Sequence, residues 1–544
     1  MKVIILIYLF VFFYLPAFGL QITGFEPDTL RIQKLISVLG HDSLQGRGTG
    51  TPGGVKAANY LASQLNESGL EPAGDEGSWF QNIPLHGSTP LPDSRLILEF
   101  IDETRLLLLG QDYLLFKTGA QTFIPKPVQM VFAGYGINAP QYDYNDYQDI
   151  DVTGKIVVIL TGEPESDDPA WFNGKLQTIY SSVEAKQRQA IGFGAAGCIL
   201  IPNPRDDYRP WTYWVKEFSF ETVTQAFAPA GNLSLLLNPK HASALFSGSG
   251  YSYQDVMDMD KFNAIRSFNL VAKLSFSGEF RQRDFMAANV IGKIEGSDAL
   301  LAETAVLVSA HYDHLGIGLK NNSDSIYNGV FDNAMGVAVT LEIARLLNLP
   351  ENKPERTVIF ILTTGEEKGL LGSQFYTMHP VFPLYRTTAN INIDGISSFD
   401  EFQDVIGIGS DYSNLGRVLE TVLKKQNLKP SKIPQSQLNS ESFFRSDHFA
   451  FASAGIPSVS ILEGTQYKNL QETVAEEIKM KWDQTRYHSP FDDLNQPINW
   501  RAVRQHSELI LKMIKETAEY EGEIVWNSQA PYRNVRLQTI AEKR

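Results

Sequence analysis

Between Val306 and Glu367 the chain reads V-L-V-S-A-H-Y-D-H-L-G, then F-D-N-A-M-G, then V-I-F-I-L-T-T-G-E-E. Val306–Ala310 and Val358–Leu362 are short, continuous apolar runs, the pattern of strands covered on both faces. Ala334–Leu347 carries Val337, Leu341, Ala344 and Leu347 at helical spacing and predicts the crossover helix of a βαβ unit. His311, Asp313, Asp332, Glu366 and Glu367 then fall just past strand ends or at a helix start. In an open parallel sheet, that edge is where sites are built.

The alternation continues downstream. Gly369–Met378, Leu415–Gln426 and Trp500–Glu519 predict helices, and Ala389–Ile393, Val405–Gly409 and Pro457–Leu462 predict strands. Asp394 follows one of these strands, and His488 lies in the loop R-Y-H-S-P-F-D-D. Upstream, Asp28–Leu39 and Gly54–Leu65 have helical spacing around a Gly-rich loop, G-R-G-T-G-T-P-G-G. That loop follows no strand and lacks a phosphate-binding lysine, so phosphate binding is rejected. Residues 128–270 change texture, with short strands among loops rich in Pro, Asp and Tyr. They predict a β-rich insert that splits the surrounding domain.

The length of 544 residues allows several domains. A net charge of −15 argues against nucleic acid or an anionic membrane surface as a partner. Met1-Lys2, the apolar run Val3 to Pro16 and then Ala17-Phe18-Gly19 predict a cleaved signal peptide over residues 1–19, leaving no membrane anchor. Cys198 is the single cysteine, in the apolar run A-A-G-C-I-L-I, and reads as a buried inert thiol. An exported chain without disulfides is expected in a bacterial periplasm or exterior.

His311 and Asp313 point to one side of an extended chain. An imidazole there is a good metal ligand, and a nearby carboxylate can hold its other N–H. Glu366 and Glu367 are adjacent, so one can bind metal while the other faces water. With Asp332, Asp394 and His488, the set suffices for two metals sharing a carboxylate. Taken singly, each residue has an ordinary reading as a cap, a turn former or a solvated face. His314 and His379 read as bystanders. The weight lies in ligand types recurring at successive strand ends.

In order, H-Y-D-H-L-G, F-D-N-A-M-G-V-A, T-G-E-E-K-G-L-L-G-S, N-I-D-G-I, R-S-D-H-F-A-F and Y-H-S-P-F-D-D resemble the co-catalytic zinc aminopeptidases of peptidase family M28. V-F-A-G-Y-G-I, D-V-T-G-K-I-V-V-I and G-A-A-G-C-I-L-I resemble the protease-associated domain inserted in many members. The resemblance implies an α/β zinc-dependent exopeptidase fold, a mixed, mainly parallel sheet flanked by helices. It divides the chain into residues 20–127 and 271–522 of the peptidase domain, the insert at 128–270 and a loose tail at 523–544. It implies that His311 and Asp394 bind one zinc, that Glu367 and His488 bind the other, and that Asp332 bridges them. Glu366 would be the general base and Asp313 would orient His311. Asp447 and His448 would be polar groups beside the site, and the Asp332–Asn333 peptide would be cis. Peptides are the expected substrates. The M20 peptidases share a similar ligand order, but they insert a domain before the final histidine, where this chain has none. Carboxypeptidase-like and glutaminyl-cyclase-like specificities, and a non-catalytic binding protein on this scaffold, are the alternatives.

Overall fold

A computed structural model describes residues 25–119, 121–175, 177–205, 209–227, 231–433 and 443–541. The expected signal peptide at 1–19 lies outside the described residues. A ten-stranded sheet forms the centre. Its order is Thr222–Gln225, Phe80–Pro90, Phe280–Ile294, Thr357–Thr363, Ala305–His311, Thr387–Asn392, Ser458–Glu463, Asp404–Ile408 and Lys429–Ser431, with Glu71–Pro72 added against Phe280–Ile294. The four strands from Thr357–Thr363 to Ser458–Glu463 are parallel, and the neighbouring pairs on both sides are antiparallel.

Both faces of the parallel strands are covered, which is why they read as unbroken apolar runs. Val306, Val308 and Ala310 join one core with the helices Thr29–Leu39, Pro52–Glu67, Met335–Leu347, Leu415–Lys425 and Trp500–Ala518. Ala305 and Leu307 face the other way, toward Tyr376 and Phe451 on the helices Leu371–Met378 and His448–Ser453. The crossover helix Met335–Leu347 is buried nearly all round. Among the described residues, no helix is long and apolar enough to cross a membrane.

A second sheet of eight strands has its own core. It takes in Arg95–Glu99, Thr104–Leu107 and Tyr113–Leu115 as well as Phe123–Phe132, so it starts ahead of the expected boundary at 128. Phe268–Ser277 carries it past 270, because this long strand pairs with Arg95–Glu99 on one edge and Phe123–Phe132 on the other. The two units are joined: Thr222–Gln225, from within the expected insert, pairs with Phe80–Pro90 at the edge of the central sheet. Cys198 is fully buried in this second unit, and burial pushes its thiol up to about 12.

The expected loose tail is also corrected. Arg533–Ala541 is a helix, and Arg536 Nη1 donates to the Leu384 carbonyl at 2.8 Å. Ahead of it, the buried Trp526 donates from Nε1 to Gly455 at 2.8 Å. A polar helix held by one buried indole and a few hydrogen bonds leaves little periodic apolar pattern to read.

Candidate metal centre

The parallel strands deliver the polar residues to one edge. His311 ends its strand, Glu366 and Glu367 follow Thr357–Thr363, and Asp394 follows Thr387–Asn392. Asp332 sits in the irregular turn Val330–Ala334 that leads into the crossover helix. The Asp332–Asn333 peptide is cis. Two neighbours fix this turn. Asn333 Nδ2 donates to the Ile393 carbonyl at 2.8 Å, and the buried Asp492 carboxylate accepts from the backbone N–H groups of Phe331 at 2.9 Å and Asp332 at 3.1 Å. Asp492 belongs to the same loop as His488, so one loop supplies both an anchor and an imidazole.

Two groups meet at Asp332. On one side, His311 Nε2 lies 3.1 Å from Asp394 Oδ1 and 3.3 Å from Asp332 Oδ1. On the other, His488 Nε2 lies 3.2 Å from Glu367 Oε2 and 3.5 Å from Asp332 Oδ2. Ligand atoms about 2.0–2.1 Å from a tetrahedral zinc stand roughly 3.3 Å apart, so both sets have the spacing of a shared ion. His311, Asp332 and Asp394 form one group able to hold a metal ion, and His314, Asp332 and Glu367 form another. His314, expected as a bystander, therefore lies at the site, with Nδ1 2.6 Å from Glu367 Oε1. His379 does not; its ring packs on Phe375 with centroids 4.5 Å apart.

The charge balance also favours cations. Asp313, Asp332, Glu366, Glu367, Asp394 and Asp447 crowd this edge, faced by the imidazoles of His311, His314 and His488 and by the buried Arg47 and Lys368. Two carboxylates 4 Å apart repel by roughly 4 kcal/mol at an effective dielectric of 20. Burial, reinforced by the Asp394 and Glu367 carboxylates, holds the Glu366 carboxyl well above its ordinary range despite His311. Burial pushes Asp313 up to about 6. Burial opposes charge on His311, but Asp394 and Glu366 overcome it and hold the imidazole well above its usual value. Such a field, concentrated on donors typical of zinc, fits divalent cations.

The expected role of Asp313 changes in detail. Its carboxylate stands 4.0 Å from His311 Nδ1, and its backbone oxygen, at 3.1 Å, takes the ring N–H instead. The carboxylate accepts from Thr49 Oγ1 at 2.9 Å and from the Glu366 N–H at 3.2 Å, fixing the turn that carries Glu366. Ser446 Oγ donates to Asp394 Oδ2 at 2.6 Å, and Asp447 Oδ2 accepts from Thr363 Oγ1 at 2.5 Å. Burial pushes the His448 imidazole down to about 4.

The Gly-rich loop, set aside as a phosphate binder, braces the site. Arg47 is fully buried and donates to the carbonyls of Leu39, Tyr312, Asn328 and Gly329. A Cβ on Gly46 would meet the Tyr327 oxygen at 2.2 Å, and Gly46 has φ of 65°, so the loop requires glycine there. Four carbonyls losing a partner at roughly 1 kcal/mol each predict that Arg47→Met destabilises the fold by about 4 kcal/mol. Urea unfolding checks this. A shift below about 1 kcal/mol would mean that the loop tolerates loss of the guanidinium.

Residues 289–514 match the model for peptidase family M28. A vacuolar membrane protease of Lodderomyces elongisporus is 35% identical over 107 residues, 20% of this chain and 10% of that protein. Aminopeptidase YwaD of Bacillus subtilis is 28% identical over 235 residues, 43% of this chain and 45% of that protein. These matches span less than half of either relative. The structure of an aminopeptidase from Aneurinibacillus sp. strain AM-1 superposes with a TM-score of 0.54, covering 93% of this chain and 97% of that one at 19% identity. That likeness establishes the mixed α/β fold. The expected bacterial periplasmic or secreted location is overturned: vacuolar membrane proteases of several fungi stand among the first curated relatives and point away from it.

Proposed function

We propose, from the premise that residues 289–514 form a peptidase family M28 domain, that this metallopeptidase is a two-zinc aminopeptidase. His311 and Asp394 would hold one ion, Glu367 and His488 the other, and Asp332 both. One observation carries this reading: the two carboxylate oxygens of Asp332 face opposite ways, Oδ1 toward His311 at 3.3 Å and Oδ2 toward His488 at 3.5 Å. His314, bonded to Glu367 Oε1, would orient that ligand. Bound zinc supplies Lewis acidity to a water and to the substrate carbonyl.

The chain's own groups do the rest. Glu366 follows the same strand as Glu367, and its turn is pinned through Asp313. It accepts a proton from the attacking water and passes it to the leaving amine. Thr49, Asp313 and Ser446 hold the acidic groups in place. The eight-stranded unit over residues 95–277 would be the protease-associated insert, supported by its separate core.

A panel of free and N-acetylated peptides, with and without chelator, tests the reading. Chelator-sensitive cleavage confined to free-amine peptides, restored by zinc, is expected. Cleavage from the C-terminus, or cyclisation of N-terminal Gln, would overturn the aminopeptidase assignment while leaving the metals. Activity indifferent to chelator would overturn the metals themselves.

A further inference from the structure

The helix Trp211–Glu217 lies in the segment between the two sheets and leans on the metal centre. Its near end is tied to the eight-stranded unit, where Trp211 Nε1 donates to the Gly110 carbonyl at 3.0 Å. Its far end meets the loop of His488. Glu217 Oε2 lies 2.9 Å from His488 Nδ1, and Lys216 Nζ donates to the Tyr487 carbonyl at 3.4 Å. The loop is held tightly there: His488 has φ of 49°, and the Tyr487 ring stacks on its imidazole at 3.9 Å.

An ionised carboxylate only accepts hydrogen bonds, so the Nδ1 it faces must carry the proton. That places the lone pair of a neutral His488 on Nε2, the atom directed at Glu367 and Asp332. We infer that Glu217, supplied from outside the peptidase-family match, is a positioning residue for His488: it fixes the tautomer and ring orientation that present Nε2 to the second metal position. The inference rests on the two-zinc reading above. It also gives the second unit a stake in the metal centre, because the helix that carries Glu217 is anchored on that unit.

Carboxylate partners of ligand histidines are typically worth 10–100-fold in metal affinity. Metal-free protein titrated with zinc against a chromophoric chelator reads the two affinities separately. Glu217→Ala is expected to weaken one ion by about 10–100-fold and leave the other unchanged. Glu217→Gln keeps an acceptor oxygen without the charge and is expected to fall between Ala and wild type. Unchanged thermal midpoints of the metal-free variants would show that folding is not what moved. Both ions at wild-type affinity in Glu217→Ala would overturn the inference. If the Ala variant does not fold, a Gln variant binding both ions like wild type overturns it instead. Wild-type protein binding fewer than two ions would instead sink the two-zinc reading, and this inference with it.

Discussion

Glu366→Gln is expected to lower turnover by roughly 10²–10⁴ while both proposed zinc ions stay bound, the effect of losing the proposed general base. The geometry makes this substitution unusually clean. Glu366 follows Gly365, at φ of 72°, and its backbone N–H, not its side chain, bonds Asp313. An isosteric amide therefore leaves the turn, Glu367 and the Asp313 brace where they are. It removes only the capacity to take up a proton. Steady-state kinetics on a free-amine peptide, with metal content measured on the same sample, separates the outcomes. Near-full activity in a metal-loaded variant would remove Glu366 from the role. Loss of activity together with loss of metal would show that Glu366 is a ligand after all.

The edge where these polar residues meet was legible because two signals coincide there. Continuous apolar runs predict strands at Val306–Ala310 and Val358–Leu362, and the structure has Ala305–His311 and Thr357–Thr363, differing by a residue at each end. Residues just past such strands are confined to one edge of the sheet. The bracing groups carry no such signal. Arg47 donates to backbone carbonyls, which every sequence offers, and its partners on Tyr312, Asn328 and Gly329 lie far along the chain. Glu217 sits in an unremarkable short helix, 271 positions from His488. His314 was the recoverable case: three residues beyond His311, it needed only a turn after the strand to face the same edge. The extent of the second sheet carries no local signal either. Only its pairing with Phe268–Ser277 assigns the strand Arg95–Glu99 to that sheet.

Asp332→Ala is expected to cost affinity for both ions at once and to abolish measurable peptidase activity. A single carboxylate charge 4 Å from a unit cation is worth roughly 4 kcal/mol at an effective dielectric of 20, about a thousandfold. Asp332 would contribute such a term twice, once through each oxygen. Each affinity should therefore fall further than the 10–100-fold typical of partners that touch only a ligand. The turn itself should survive. Its shape is held by Asn333 on Ile393 and by Asp492 on the backbone of Phe331 and Asp332, not by the Asp332 carboxylate. Glu367→Ala is the control, because Glu367 faces His488 and His314 and not His311. It should release one ion and keep the other. Chelator competition on both variants decides the matter: an Asp332→Ala protein that still holds one ion at wild-type affinity would mean that the carboxylate serves a single metal, and the bridging geometry would have to be abandoned.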